Sequence, residues 1–190
     1  MAAKRIVITG APGSGKTVIT QAIADQHPDR FMRVPEAATH VYTSLNTRWD
    51  RLDVEAQRNV QRRIYHHQRE QEEAFASKFP QRALLLDRGT IDGAAYWPDG
   101  PEAYWQDLQT TADQELSRYD AVVILESGAA LGLYDGDASN ACRFEDAAGA
   151  IESGKLLARL WRGHRNLKHI GAFASIEEKI GAVMKVLNLV

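Results

Sequence analysis

The chain of 190 residues has the length of one domain, and its 44% hydrophobic and 25% charged residues are typical of an ordinary globular protein. Its formal net charge of -2 excludes a global attraction to nucleic acid or to anionic lipid. Cys142 is the only cysteine, which excludes an intrachain disulfide and a cysteine metal cluster and fits a reducing cytosol. Because no apolar run approaches the length of a signal peptide or a membrane span, we expect one cytoplasmic domain over residues 1–190 with no membrane segment.

Five short segments of the chain predict β-strands. The first, Arg5 to Thr9, is apolar without alternation, which is typical of a strand that helices cover on both faces. The other predicted strands follow in chain order at residues 30–34, 83–87, 120–126 and 166–172.

Helical patterns separate these strands. One begins at Lys16 and ends at Pro28, a long one runs from Asp53 to Phe79, and the last begins with the capping-box spacing of Ser175 and Glu178. The apolar stripe of the long helix consists of Ala56, Val60, Ile64, Ala74 and Phe75. Alternating strands and helices predict an α/β fold in which helical layers cover both faces of a parallel sheet.

The segment GAPGSGKT matches the pattern G-x-x-x-x-G-K-S/T at every fixed position and lies between a predicted strand and a predicted helix. Glycines let the backbone curl until several N–H groups point at one phosphate, and the helix adds its positive end. We expect Lys16 to contact the outer phosphates and the Thr17 hydroxyl to ligate Mg²⁺. The sequence lacks the Asn-Lys-x-Asp run of guanine-specific NTPases, so ATP is favoured. The predicted nucleotide-binding residues are Gly10, Ala11, Pro12, Gly13, Ser14, Gly15, Lys16 and Thr17.

Charged side chains follow the second and third predicted strands, at the sheet edge where ligands of such folds bind. Glu36 is a candidate to accept a proton from an attacking hydroxyl or to hold Mg²⁺ through water, and the alternative is a solvated loop residue. Asp87 ends the third strand and is expected to ligate Mg²⁺. Arg88 offers a planar fork of donors suited to phosphate or carboxylate, and the alternative is a surface salt bridge with Asp87 or Asp92.

Two other features leave alternatives open. His67 and Gln71 interrupt the apolar face of the long helix, which indicates either a pocket wall or a helix that passes the edge of the core. A group of aromatic residues after Gly89 forms either a surface on which an acceptor ring stacks or part of the core. These residues are Tyr96, Trp97, Tyr104 and Trp105.

Taken in order, the segments GAPGSGKT, VPEAA, LLLDRGTIDGAAYW and ACRFEDA resemble the AAA-domain P-loop NTPases that group with nicotinamide-riboside-kinase domains, and more distantly the thymidylate and deoxynucleoside kinases. The resemblance implies the P-loop kinase fold, a three-layer sandwich with a five-stranded parallel sheet, and adenine near the loop before the last helix. By position it makes Glu36 similar to the base of deoxynucleoside kinases, Arg88 similar to the arginine that contacts the acceptor, and Arg143 similar to a lid arginine over the transferred phosphate. The chain departs from deoxynucleoside kinases at residues 87–89, where those have Glu-Arg-Ser, and at residues 36–37, where they have Glu-Pro.

The sequence therefore predicts an ATP- and magnesium-dependent kinase that acts on a small-molecule phosphate acceptor such as a nucleoside or nucleotide. The predicted metal ligands are Thr17 and Asp87, and a lid segment is expected at about residues 128–165. The predicted catalytic residues are Lys16, Glu36, Asp87, Arg88 and Arg143. The alternative is an ATP-dependent switch or ATPase that acts through a protein partner, for which the long charged helix offers a surface. Phosphorylation of nucleic-acid ends is disfavoured by the charge balance.

Overall fold

The computed structural model describes residues 3–132 and 147–188, and its strands form one five-stranded sheet. All four strand pairs are parallel, and the order across the sheet is β2-β3-β1-β4-β5. The α/β fold with a five-stranded parallel sheet is thus confirmed, and each predicted strand is observed. The strands are β1 Arg5–Gly10, β2 Phe31–Val34, β3 Ala83–Asp87, β4 Ala121–Leu125 and β5 Leu167–Ile170.

The three central strands are apolar at most positions because helices cover both of their faces. In β1, β3 and β4 every residue after the first is buried. Their register places Ile8 of β1 beside Asp87 of β3 and Val123 of β4. Because the carboxyl ends of neighbouring parallel strands meet at one edge of the sheet, the loop after β1 lies next to Asp87.

Two helical layers complete a three-layer sandwich. On one face of the sheet, Ile19 of α1 and Val183 of α7 belong to the same core cluster as the strands. On the opposite face, Tyr65 of α3 and Trp161 of α6 belong to a second core cluster. The α-helices are α1 Lys16–Gln26, α2 Ala37–Ser44, α3 Val54–Lys78, α4 Pro101–Asp107, α5 Ala112–Leu116, α6 Ala147–Trp161 and α7 Ile176–Val186. Short 3-10 helices span Trp49–Arg51, Thr90–Tyr96 and Gly128–Leu131.

The long helix α3 buries a different face from the one that its apolar stripe predicted. Of that stripe only Val60 is buried, and the helix also buries polar side chains. Burial of polar groups is tolerated where hydrogen bonds satisfy them. Glu72, which is fully buried, accepts hydrogen bonds from Gln68, Arg118 and Tyr119. The stripe failed as a guide because this buried polar network occupies the inner face of the helix.

The ends of two helices follow their sequence signals. The Asp53 carboxylate accepts a hydrogen bond from the Ala56 N–H at 2.8 Å and caps α3. The Ser175 hydroxyl accepts one from the Glu178 N–H at 3.3 Å and caps α7, as the capping-box spacing predicted. Among the described helices, none is both long and apolar enough to cross a membrane.

Candidate active site

Two carbonyl oxygens of the loop between β1 and α1 accept hydrogen bonds from side chains outside the loop. Ser127, just after β4, donates a hydrogen bond to the Pro12 carbonyl at 2.9 Å. Lys179 of α7 donates one to the Ser14 carbonyl, also at 2.9 Å. Because these carbonyls are held from outside, the loop is free to turn its N–H groups toward the space that it encloses.

The backbone of this loop needs glycine at two points. Gly13 and Gly15 have φ angles of 72° and 87°, in the left-handed region that other residues avoid. The helix α1 begins at Lys16, directly after Gly15, so the positive end of its dipole faces the same space. The predicted phosphate loop therefore has the shape that anion binding at a helix N-terminus requires.

Lys16 lies inside the loop and is buried. Its ammonium donates hydrogen bonds to the carbonyls of Gly10 and Ala11, both at 2.9 Å, and to the Ser14 hydroxyl at 3.2 Å. Burial and the positive charge of Arg88 lower the pKa of Lys16 to about 7, although neighbouring carboxylates oppose the shift. Lys16 is thus a cation whose charge is costly until an anion enters the loop.

Asp87 meets the phosphate loop at Thr17, as the neighbouring strands predicted. The Thr17 hydroxyl donates to Asp87 Oδ2 at 2.7 Å, and Arg33 of β2 contacts the same oxygen at 3.4 Å. The other oxygen, Oδ1, is buried and has no hydrogen-bond partner within residues 3–132 and 147–188. Burial raises the pKa of Asp87, and the nearby carboxylate of Glu36 raises it further.

The surroundings of Asp87 and Thr17 indicate whether these residues fit a Mg²⁺ ion. No group of three or more His, Cys, Asp or Glu residues could hold a metal in the described part of the chain. However, Mg²⁺ in phosphoryl-transfer sites usually takes only one or two carboxylates and completes its shell with phosphate oxygens and water. The unpartnered Oδ1 of Asp87 and the adjacent Thr17 hydroxyl fit that requirement, so these two residues would hold the ion.

Glu36 and Arg88 form a largely buried ion pair on the other side of Asp87. Arg88 Nε donates to Glu36 Oε1 at 2.6 Å, and the two side chains are 14% and 18% exposed for Arg88 and Glu36 respectively. Arg88 also reaches Asp92 Oδ2 at 3.4 Å and lies over the Tyr96 ring, 5.6 Å from its centroid. Burial opposes ionisation of Glu36, but the positive charges of Arg88 and Lys16 and the hydrogen bonds from Thr39 and Arg88 together outweigh it and lower the pKa of Glu36. Of the two aspartates proposed as salt-bridge partners, Arg88 pairs with Asp92, and the pair is buried rather than at the surface.

Asp92, which the sequence offered only as a partner for Arg88, makes two further contacts. Its side chain is almost fully buried and accepts hydrogen bonds from the Thr9 hydroxyl at 2.6 Å and from Trp161 Nε1 at 2.7 Å. A signal for the Arg88 contact was available, because residues four apart can pair in a helical segment. The contact with Trp161 spans 69 residues and left no local signal.

Lys179 is a second residue that the sequence analysis missed. Besides its bond to Ser14, its ammonium donates to the Glu126 carbonyl at 2.5 Å, so it joins the phosphate loop to the end of β4. Burial lowers the pKa of Lys179 to about 8, opposed by the Glu126 carboxylate. Its signal was a charged residue three positions after Ile176, within the inward stripe of the last helix.

The structure shows the surroundings of the aromatic residues after Gly89 and of His67 and Gln71 on α3. Trp97, Tyr104 and Trp105 are buried in one hydrophobic cluster, so they form core, whereas Tyr96 faces Arg88. His67 stacks on His40 of α2 with ring centroids 4.5 Å apart. His67 Nε2 and Gln71 Oε1 are buried and lack hydrogen-bond partners among the residues described.

A cavity of about 350 Å³ lies beside the phosphate loop, between α6 and the carboxyl ends of β4 and β5. Its lining is mostly apolar and includes Ala11 of the loop, Gly154 of α6 and Gly171, the residue after β5. Its polar groups include the side chains of Glu126 and Lys155. Such a volume is in the range of small-molecule sites.

Residues 5–179 match the family model of the AAA domain. The chain belongs to this AAA domain family. No curated protein sequence matches the chain significantly. The family assignment agrees with the resemblance that the four sequence segments indicated.

Several solved structures have a fold similar to that of this AAA domain. It is similar to thymidylate kinase from Candida albicans, with 13% identity, a TM-score of 0.67, and coverage of 98% of this chain and 92% of that one. It is similar to deoxyadenosine kinase from M. mycoides with bound dATP, with 14% identity, a TM-score of 0.65, and coverage of 97% and 99%. It is also similar to the NadR protein in complex with NR, with 14% identity and a TM-score of 0.65, where it covers 98% of this chain but 50% of that one. This AAA domain therefore has the P-loop kinase fold that nucleoside and nucleotide kinases share.

One predicted site residue lies in a part of the chain that the structure does not describe. Arg143, the expected lid arginine, lies outside the described residues, as does part of the lid segment expected at about 128–165. The other predicted residues lie around the carboxyl ends of β1, β2 and β3.

Proposed function

We propose that this AAA domain is a magnesium-dependent kinase that transfers the γ-phosphoryl group of ATP to a hydroxyl of a small metabolite such as a nucleoside or nucleotide. The observation that carries the proposal is the buried pair of Glu36 and Arg88 next to the phosphate loop. A carboxylate beside a fixed guanidinium offers one group that accepts a hydroxyl proton and one that binds an anionic or polar acceptor. Hydrolysis of ATP alone does not require such a pair.

Three observations support ATP as the donor. The loop over residues 10–15 has the backbone shape and the buried Lys16 that a triphosphate needs. The cavity beside Ala11 offers space for the nucleoside part next to the phosphates. The fold is that of nucleoside and nucleotide kinases.

The proposed reaction is an in-line displacement at the γ-phosphorus. Lys16 and the loop N–H groups bind the phosphates, while Thr17 and Asp87 would hold a magnesium ion, which would neutralise charge on the phosphate oxygens. The acceptor hydroxyl oxygen forms the new P–O bond, its proton passes to the Glu36 carboxylate, and the bond from the γ-phosphorus to the β,γ-bridging oxygen breaks to release ADP. Arg88 stays bound beside Glu36 and orients the acceptor.

The test is ADP release by the purified protein with ATP and Mg²⁺ against a panel of nucleosides, nucleotides and ribosylated vitamins. We expect one acceptor class to stimulate release. Glu36→Gln keeps the side-chain shape but removes the base, and we expect it to lower the stimulated rate by about 10²- to 10⁴-fold. Glu55→Gln, an exposed change on α3, is the matched control and should leave the rate unchanged.

The alternative function, an ATP-dependent switch that acts through a protein partner, has a different signature in the same assay. It predicts slow ADP release that no acceptor stimulates and that Glu36→Gln leaves unaffected. That result would contradict the kinase proposal.

A further inference from the structure

Trp161, the last residue of α6, is tied to the loop that carries Arg88. The indole is fully buried, and its Nε1–H donates to Asp92 Oδ1 at 2.7 Å. Asp92 Oδ2 accepts from the Thr9 hydroxyl at 2.6 Å and contacts Arg88 Nη1 at 3.4 Å. One buried carboxylate therefore joins α6, the end of β1 and the guanidinium beside Glu36.

The Trp161 ring also explains the glycine in the segment Asp87-Arg88-Gly89. A Cβ atom at Gly89 would lie 2.9 Å from Trp161 Cη2 and 3.2 Å from Tyr119 Cζ. Its φ of -124° is open to any residue, so the requirement for glycine is steric and not conformational. Gly89 and Asp92 thus provide the space and the hydrogen-bond acceptor that this tryptophan needs.

Arg88 is held in a conformation that is unfavourable for its backbone. Its φ of 77° is in the left-handed region, which a residue with a long side chain adopts only where its surroundings impose it. Glu36 binds Nε and Asp92 binds Nη1, so two carboxylates from different segments fix the plane of the guanidinium. Without Asp92, the described contacts of the guanidinium would be its bond to Glu36 and the Tyr96 ring, and it would be freer to turn.

We propose that Asp92 is a positioning residue, which holds Arg88 in the orientation that the acceptor needs, and that Trp161 fixes Asp92 from α6. The kinetic part of this inference rests on the proposed kinase function, whereas the link between Trp161 and Arg88 does not. This hydrogen-bond chain connects the end of α6 to the acceptor side of the proposed site.

The link is tested by ¹H–¹⁵N NMR of the full chain, in which tryptophan Nε1–H and arginine Nε–H groups give separate signals. Loss of a signal in Trp161→Phe and in Arg88→Lys identifies the two groups. We expect Trp161→Phe to shift the Arg88 Nε–H signal and Asp92→Asn to shift both signals. Trp105→Phe, which alters another buried tryptophan of the same core cluster, should leave the Arg88 signal in place. An Arg88 signal that does not respond to Trp161→Phe would overturn the link, whether or not the protein is a kinase.

The positioning role is tested by steady-state kinetics with an acceptor that stimulates ADP release. We expect Asp92→Asn to lower kcat/KM for the acceptor by about 10- to 100-fold. The KM for ATP should change by less than about twofold, because the described side-chain hydrogen bonds of Asp92 go to Thr9, Arg88 and Trp161 and not to the phosphate loop. Equal losses for ATP and acceptor, or no loss for the acceptor, would overturn the role. If the native protein shows no acceptor-dependent turnover, the kinase proposal fails, and the NMR result still decides whether Asp92 and Trp161 fix Arg88.

Discussion

At the scale of single residues, Arg88 shows how one buried charge depends on its neighbours. Burial works against its charge, yet Tyr96, Glu36 and Asp92 raise its pKa well above the ordinary range, so it stays charged. Removing it would leave two carboxylates with little exposure and without their cation.

We therefore expect Arg88→Ala to lower the free energy of unfolding by roughly 3 kcal/mol, because an ion pair loses one partner in a site that water reaches poorly. Urea denaturation measures the change. Arg58→Ala is the matched control, since Arg58 pairs with Asp99 and Glu55 at the surface, where water screens the charges, and it should cost clearly less. Equal costs for the two variants would contradict the buried character of the Arg88 pair.

We also expect Lys16 to take up a proton when ATP binds. The pKa of Lys16 is lowered to about 7 in the free protein, so above pH 7 the side chain is mostly neutral. Bound phosphates stabilise its charged form, so ATP binding should take up a proton above pH 7, and affinity should fall by up to about tenfold per pH unit there. Below pH 7 the side chain is already charged and contributes no uptake.

Isothermal titration calorimetry of ATP binding at pH 6 and pH 8, in buffers of different ionisation enthalpy, measures this uptake. Lys16→Met is the matched variant, because it keeps the length of the side chain but cannot be charged. Proton uptake of the same size in Lys16→Met would show that another group is responsible.

Residues of the phosphate loop could be predicted because their chemistry depends on neighbours in sequence: Lys16 and Thr17 follow the glycines that shape the loop. The partners of Arg88 could not be assigned, since a guanidinium accepts any carboxylate that the fold brings near. The further contacts of Asp92, and all those of Lys179, were missed for the same reason. Their contacts join segments that are 69 and 165 residues apart for Trp161 and Ser14 respectively.

At the scale of elements, the contact between α6 and the loop after β3 makes a steric prediction. Gly89→Ala should lower the free energy of unfolding by about 1–3 kcal/mol, because the added methyl group meets the Trp161 ring. Thermal or urea unfolding measures it, and the double variant Gly89→Ala with Trp161→Leu should recover part of the loss.

Gly181→Ala is the control for that prediction. A Cβ there meets nothing within 4 Å, and the residue lies within α7, so alanine should stabilise the protein by about 0.5–1 kcal/mol. If Gly89→Ala were equally harmless, the close approach of Trp161 to the loop would be wrong.

The elements themselves were predictable where packing follows a simple rule. Strands β1, β3 and β4 are covered on both faces, so their apolar runs identified them. The inner face of α3 was not predictable, because Gln68 and Glu72 are buried in a network with residues of other segments. A hydrophobic stripe cannot reveal polar groups that are satisfied by distant partners.

At the scale of the whole molecule, the strand order places two different surfaces beside the phosphate loop, as the proposed two-substrate reaction requires. Because β1 lies between β3 and β4, the phosphate loop has the residues that follow β2 and β3 on one side and the cavity by β4 and β5 on the other. The first side carries Glu36, Asp87 and Arg88, and the second has room for a nucleoside. The net charge of -2 gives no global attraction to nucleic acid, and in the proposed reaction these local groups would select the acceptor.

Transfer of a phosphoryl group to an acceptor and hydrolysis of ATP differ in the destination of the γ-phosphate. The protein would be incubated with Mg²⁺ and ATP labelled at the γ-phosphorus, together with the acceptor that best stimulates ADP release, and the products would be separated. We predict that the label appears in a phosphorylated acceptor in a one-to-one ratio with ADP, and that Glu36→Gln removes this product. Label found only in inorganic phosphate, with any acceptor of the panel present, would contradict the account.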